Sequence, residues 1–282
     1  MELLLPLTEE DFLNEIQSCL DAQTPVNLSG RHVILTRGAI RLKGRDHLII
    51  HGGCISGDTH SLFQIDGDKR NHPRRLTLVG VHLVHVKTHD DPREIGAAVF
   101  CMGSCQVRLQ DCDISSKGGF AVWAKHRCQV VVEDCRIQNV ARTAVACFNS
   151  VHVTVRNSTF LNVGVHGICG RGVSVMTLEQ VTMKDCQVRA VMVYQGATLS
   201  MLNCTICDTH DPTTPTVHAQ GPSVQDDSKE SGSTTKSASH DDYQSMIPTL
   251  RMNGCKVTNS AGPPLLIEGR VYKELVNSDG WT

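Results

Sequence analysis

Among the residues of this 282-residue chain whose types serve acid, base and proton-abstraction chemistry, His166, Asp185, Arg189 and Asp208 are the candidates that its spacing singles out. Asp185 and Asp208 stand 23 residues apart, with Arg189 and His210 close to them in sequence. Carboxylates grouped in this way can contribute to a calcium site, which wants six to eight oxygen ligands. In glycoside hydrolysis a carboxyl pair supplies the acid and the base. As turn residues, the same two aspartates would be unremarkable. Paired aspartates at 90/91, 226/227 and 241/242 fall in expected loops. The 13 cysteines include Cys204-x-x-Cys207, but no second Cys or His pair follows at zinc spacing, so no metal site is expected.

What would position these residues is a repeat. Stepping by 23 from Val99 meets Val122, Val145, Ile168 and Val191, and the same step from Val107 meets Val130, Val153, Met176 and Leu199. From Ile114 it meets Ile137, Phe160, Met183 and Ile206. Within one unit, Val145 and Cys147, then Val151, Val153 and Val155, then Ser158 and Phe160 alternate as three short strands. Asp111, Asp134, Asn157, Gln180 and Asn203 mark the corner after the second strand. Ala98, Ala121, Ala144, Gly167 and Ala190 lead into the first. No stretch inside a unit is long enough for a crossover helix, so each strand should stack on its own copy one coil on, at a rise of about 4.8 Å. The expected fold is all-β, a parallel solenoid in which a sequence column is a physical stack. Stacked corner amides can hydrogen-bond along the ladder, and Asp185 and Asp208 would continue the column of Asn139 and Asn162. Most cysteines fall in columns too (Cys112, Cys135 and Cys204; Cys105 and Cys128; Cys101 and Cys147), where small polarizable thiols fill a stacked core. Cys169 and Cys207 are the ones expected to face outward.

If Val99 and Cys101 point inward, the period also writes out one surface. One outward column is Phe100, Trp123, Ala146, Cys169 and Met192; the other is Met102, Lys125, Phe148, Arg171 and Tyr194. The chain holds only eleven aromatics (2 Trp, 3 Tyr, 6 Phe), so four on one sheet, among cations and without carboxylates, have the composition of a recognition patch. A protein partner is the leading expectation, and a polysaccharide stacking on the rings is the second.

The flanks are less regular. Residues 1–28 should carry a capping helix, with Thr8 as N-cap and Phe12, Leu13, Ile16, Cys19 and Leu20 on one face. Irregular coils follow over 29–96, regular ones over 97–221, a mobile Ser/Thr- and acid-rich insertion over 222–247, a last coil over 248–270 and a tail over 271–282. A net charge of -2 gives no basic excess for nucleic acid or an anionic membrane. The stub Met1–Leu7 lacks a basic flank and a cleavage site. With an odd cysteine count it suggests a reduced, cytoplasmic or nuclear chain rather than a secreted one.

The repeated pattern, Gly/Ala-Val leading to Val-x-Val-x-Asn-Cys/Ser-x-Ile/Phe, resembles the right-handed parallel β-helix of the pectate-lyase-like superfamily over residues 26–269. The resemblance implies that fold with about eight or nine coils, and leaves function open between two groups. One is the non-enzymatic β-helix regions of F-box-only adaptors and related scaffolds, although no F-box is visible. The other is polysaccharide lyases, glycoside hydrolases and uronate epimerases. For a hydrolase, Val165-His166-Gly167 looks like a degraded Gly-His-Gly motif, but one and two coils earlier stand Arg142-Thr143 and Gly119-Phe120 where the family has paired aspartates. For a lyase, Asp185 and Asp208 with Arg189 would be the carboxylates and base, and only that reading calls for Ca²⁺. The expectation is a non-catalytic protein-binding scaffold, possessing no cofactor, with the carbohydrate-active enzyme as the alternative.

Overall fold

The computed structural model describes residues 5–42, 46–67, 73–86, 96–221, 247–268 and 271–279. Three parallel sheets run the length of the chain, two of ten strands and one of nine among the described residues. Every pairing steps one coil forward, as in Val99↔Val122 and Val122↔Val145. We call the sheets first, second and third after the order of their strands within a coil. In the coil around Phe148 these strands are Val145–Phe148, His152–Arg156 and Thr159–Val163.

The inward columns form one continuous core. Val99, Val122, Val145, Ile168, Val191 and Val217 from the first sheet meet Leu109, Val132, Val155 and Leu178 from the second, and Ile114, Ile137, Phe160 and Met183 from the third. The Val and Ile that predominate in these columns suit a strand buried against its own copies.

A corner column shows why the polar residues recur. Gly52, Gly80, Asp111, Asp134, Asn157, Gln180, Asn203, Gly254 and Asn277 all have φ between 47° and 65°. Each turn needs the left-handed region, which Gly, Asn and Asp enter most readily. The amides from Gly52 to Gly254 in this column, as at Asp134 N–H to the Arg156 carbonyl, 3.1 Å, then bond the next coil. The side-chain ladder occurs at a different corner, where Asn162 donates to Asn139 at 2.8 Å and Asn259 donates to Asp208 at 3.1 Å.

The helix Glu9–Ala22 covers the first coils. Thr8 caps it by accepting from the Asp11 amide, and Phe12 and Ile16 are buried against the core, while Cys19 and Leu20 pack partly against it. Leu13, expected on that face, is exposed, because the strip that the sheet ends can cover is narrower than the apolar pattern. The expected tail over 271–282 differs more: Tyr272–Val276 pairs with Thr249–Asn253 and adds a strand to the second sheet. The insertion at 222–247, apart from residue 247, and the aspartate pairs at 90/91, 226/227 and 241/242 lie outside the described residues. No helix among the described residues is long and apolar enough to cross a membrane.

Candidate functional site

The outer face of the first sheet carries the most concentrated chemistry. Its central strands are Gly96–Met102, Gly119–Lys125, Val145–Phe148, His166–Arg171 and Arg189–Tyr194. Phe100, Trp123, Ala146, Cys169 and Met192 fall in one row, and Met102, Lys125, Phe148, Arg171 and Tyr194 in the next. Met102 and Arg171 are exposed; Phe100, Trp123, Lys125, Phe148, Met192 and Tyr194 are half-buried.

These side chains cover one another. Ala97, Phe120 and Ala146 are buried beneath Phe100, Trp123 and Phe148 as a small apolar cluster outside the main core. Trp123 has ring centroids 5.1 Å from Phe100 and 5.0 Å from Phe120, both tilted contacts. The Lys125 Nζ lies 3.9 Å above the Trp123 ring, and the Arg171 guanidinium carbon 5.6 Å from the Tyr194 centroid. Cys169 faces outward as expected but is covered, and burial pushes its thiol up to about 12. Cys207 is half-buried.

Two clefts open between the rows. The larger, about 540 Å³, is lined by Trp123, Lys125, His126, Phe148, Asn149, Arg171 and Gln195. A smaller one of about 210 Å³ lies across Phe148, among Phe120, Arg142, Thr143, His166, Cys169 and Tyr194. Burial, then the neighbouring Arg189 charge, brings His166 down to about 4, so its imidazole is neutral at pH 7. His166 Nδ1, Arg189 Nε, His218 Nδ1 and Trp123 Nε1 are buried without a hydrogen-bond partner among the described residues.

The structure separates the four candidate catalytic residues into two pairs. His166 and Arg189 are register partners on the first sheet. Asp185 and Asp208 sit instead at the end of third-sheet strands, with φ of 56° and 55°. Asp185 is 3.3 Å from His210 Nε2, while Asp208 is 3.5 Å from Lys184 Nζ and accepts from Asn259. Both carboxylates act as turn residues with partners of their own. No group of three or more acidic side chains converges among the described residues, so this corner does not fit a calcium cluster.

Sequence reasoning missed Phe120, Arg142, Thr143 and His218 on this face. Phe120, Thr143, His166 and Arg189 form a third outward column, hidden because Ala98 and Val99, like their copies, both turn inward and break the alternation. The signal was the recurring small-then-branched pair at 98/99, 121/122, 144/145, 167/168 and 190/191.

The sequence profile described as right handed beta helix region matches residues 19–168 and 97–277. The chain belongs to the right-handed β-helix family. No curated protein sequence matches it. Among solved structures it is similar to the mannuronan C-5 epimerase AlgE4 A-module of Azotobacter vinelandii, at 13% identity over 96% of this chain and 90% of that one, with a TM-score of 0.35. It is also similar to ybhc of Escherichia coli (9% identity, 97% and 84% covered, TM-score 0.39) and to an alginate lyase of Paenibacillus sp. (10%, 97% and 99%, TM-score 0.29).

Proposed function

We propose that this β-helix is a non-catalytic recognition scaffold whose first sheet docks an acidic segment of a protein partner. One observation carries the reading. Across the five central strands the outward positions hold Phe100, Phe120, Trp123, Phe148 and Tyr194 with Lys125, His166, Arg171 and Arg189, and no carboxylate. Among the described residues, acids stand on the flanking strands of this sheet, as Asp66 beside Met102 and Glu268 beside His218. Rigid aromatic anchors with interleaved cations are the composition of energetic centres in protein interfaces. The test is affinity capture from native extract with wild type and a Trp123→Ala/Phe148→Ala/Tyr194→Ala variant of matched thermal stability. Proteins held by wild type and lost by the variant, through acidic segments that a Lys125→Glu/Arg171→Glu variant also loses, support the proposal. Identical protein sets for wild type and variant overturn it.

A second reading, a uronate-acting lyase or epimerase, is favoured by the smaller cleft. There a neutral His166 lies next to Arg189 and near Arg142 and Tyr194, a set that could neutralise a carboxylate and move an adjacent proton. Turnover of uronate polysaccharides by wild type, with or without Ca²⁺, lost in His166→Gln and retained in Asp185→Asn, would replace the scaffold with this enzyme.

A further inference from the structure

We propose that Cys101, Cys105 and Cys128 form a buried three-sulfur site for a soft monovalent cation, Cu(I). Their sulfurs all lie within 4.8 Å of one another, and among the described residues this is the single group of three or more His, Cys, Asp or Glu side chains that converges in this way. The remaining stacked thiols occur in twos, as at Cys112 with Cys135 and Cys204 with Cys255.

The chain builds the site from two coils. Cys101 is the last but one residue of the strand Gly96–Met102, and Cys105 opens the second-sheet strand Cys105–Gln110 after a turn at Gly103 with φ 79°. Cys128 opens Cys128–Glu133, is the register partner of Cys105 and lies 3.1 Å from it, sulfur to sulfur. The turn that folds Cys101 back toward Cys105 is tightly held. The Gly67 amide bonds the Met102 carbonyl at 2.6 Å, and a Cβ on Gly103 would clash with the Gly67 carbonyl oxygen. The three sulfurs are therefore brought together by the winding of the solenoid rather than by flexible side chains.

The donor set and its burial choose the cation. Structural zinc takes four ligands in a tetrahedron. Among the described residues no fourth Cys, His, Asp or Glu joins the group, and the three residues are at most 1% exposed, which leaves no place for a completing water. Thiolate donors favour Cu(I), a closed-shell cation that accepts three-coordination. Binding exchanges protons for metal with no redox step: two thiols release protons to solvent, the third sulfur coordinates as a thiol, and the filled site carries one net negative charge. Lys125 and Arg127, close before Cys128 in sequence, are cations that offset this charge; Asp66 near Cys105 opposes them.

The experiment is an anaerobic titration of the reduced full-length chain with Cu(I) against a chromophoric Cu(I) chelator, with X-ray absorption on the one-equivalent complex. Three sulfur neighbours per copper are expected. The first equivalent should weaken by about tenfold or more in Cys101→Ser, Cys105→Ser and Cys128→Ser, and should be unchanged in Cys112→Ser and Cys204→Ser, with folding of each checked by circular dichroism. X-ray absorption on the wild-type complex reads the sulfur count directly, even where a serine variant fails to fold. Two sulfur neighbours, equal weakening by the control variants, or a first equivalent that prefers Zn(II) would each overturn the site.

Discussion

At the scale of single residues, His166 ties the candidate face to solution conditions. Its folded-state pKa, about 4, lies below the ordinary 6.5 because burial and Arg189 disfavour the imidazolium. The unfolded chain takes up this proton near 6.5 and the folded chain only near 4. The stabilising contribution is thus complete above pH 6.5 and is lost as pH falls from 6.5 toward 4. Denaturant unfolding across that window should show stability declining, with a shallower decline in His166→Gln. Residues of this kind were legible unevenly. Phe100, Trp123, Phe148 and Tyr194 could be assigned to one face because a 23-residue period stacks them whatever the details of the turns. Asp185 and Asp208 attracted attention as carboxylates, yet the backbone at φ near 55° accounts for their presence, and a sequence lists side chains without dihedrals. The convergence of Cys101 on Cys105 and Cys128 was invisible for a related reason: it depends on how sharply Gly103 turns.

At the scale of one coil, the left-handed corner is the element that each unit must provide. Gln180 holds φ 53° where its neighbours along the column are Asn157 and Asn203. A glutamine pays the side-chain clash of that region without the local hydrogen bonding available to asparagine. Gln180→Asn should therefore raise stability, by up to about 1 kcal/mol, and Gln180→Val should lower it by about 1–2 kcal/mol. Thermal unfolding of the two variants side by side checks the sign. The corner was readable as a polar column, but its conformational cause was not. Strand alternation was readable wherever it was strict. It failed at Ala98–Val99 and its copies, where two successive inward residues shift the next outward column out of phase and conceal Phe120 and Thr143.

At the scale of the whole molecule, the solenoid has no single centre. Phe160 is fully buried between Ile137 and Met183, and its loss leaves a cavity that only the adjoining coils can fill. Phe160→Ala should cost about 3–5 kcal/mol. Because each coil touches chiefly its neighbours, the destabilisation should be concentrated locally. Hydrogen exchange would check this, with protection falling in strands near Thr159–Val163 before those near Ile40–Leu42. The architecture was legible across most of the chain because five consecutive units keep the period without a gap. The strand at Tyr272–Val276 was not, since its burial pattern is almost wholly exposed and offers no alternation to read.

The three parallel sheets have a mechanical consequence. Their inter-strand hydrogen bonds run from coil to coil, evenly spaced and slanted across the strands, so they lie close to the axis of the winding. A tensile load applied from end to end acts in line with those bonds and meets them one rung at a time, so the molecule should yield by peeling off coils at low force. A load applied across the axis runs along the strands, where covalent backbone carries it and neighbouring rungs share the shear. The same protein should thus be compliant in one direction and stiff in the other, and its response to force would depend on the points at which the load is applied.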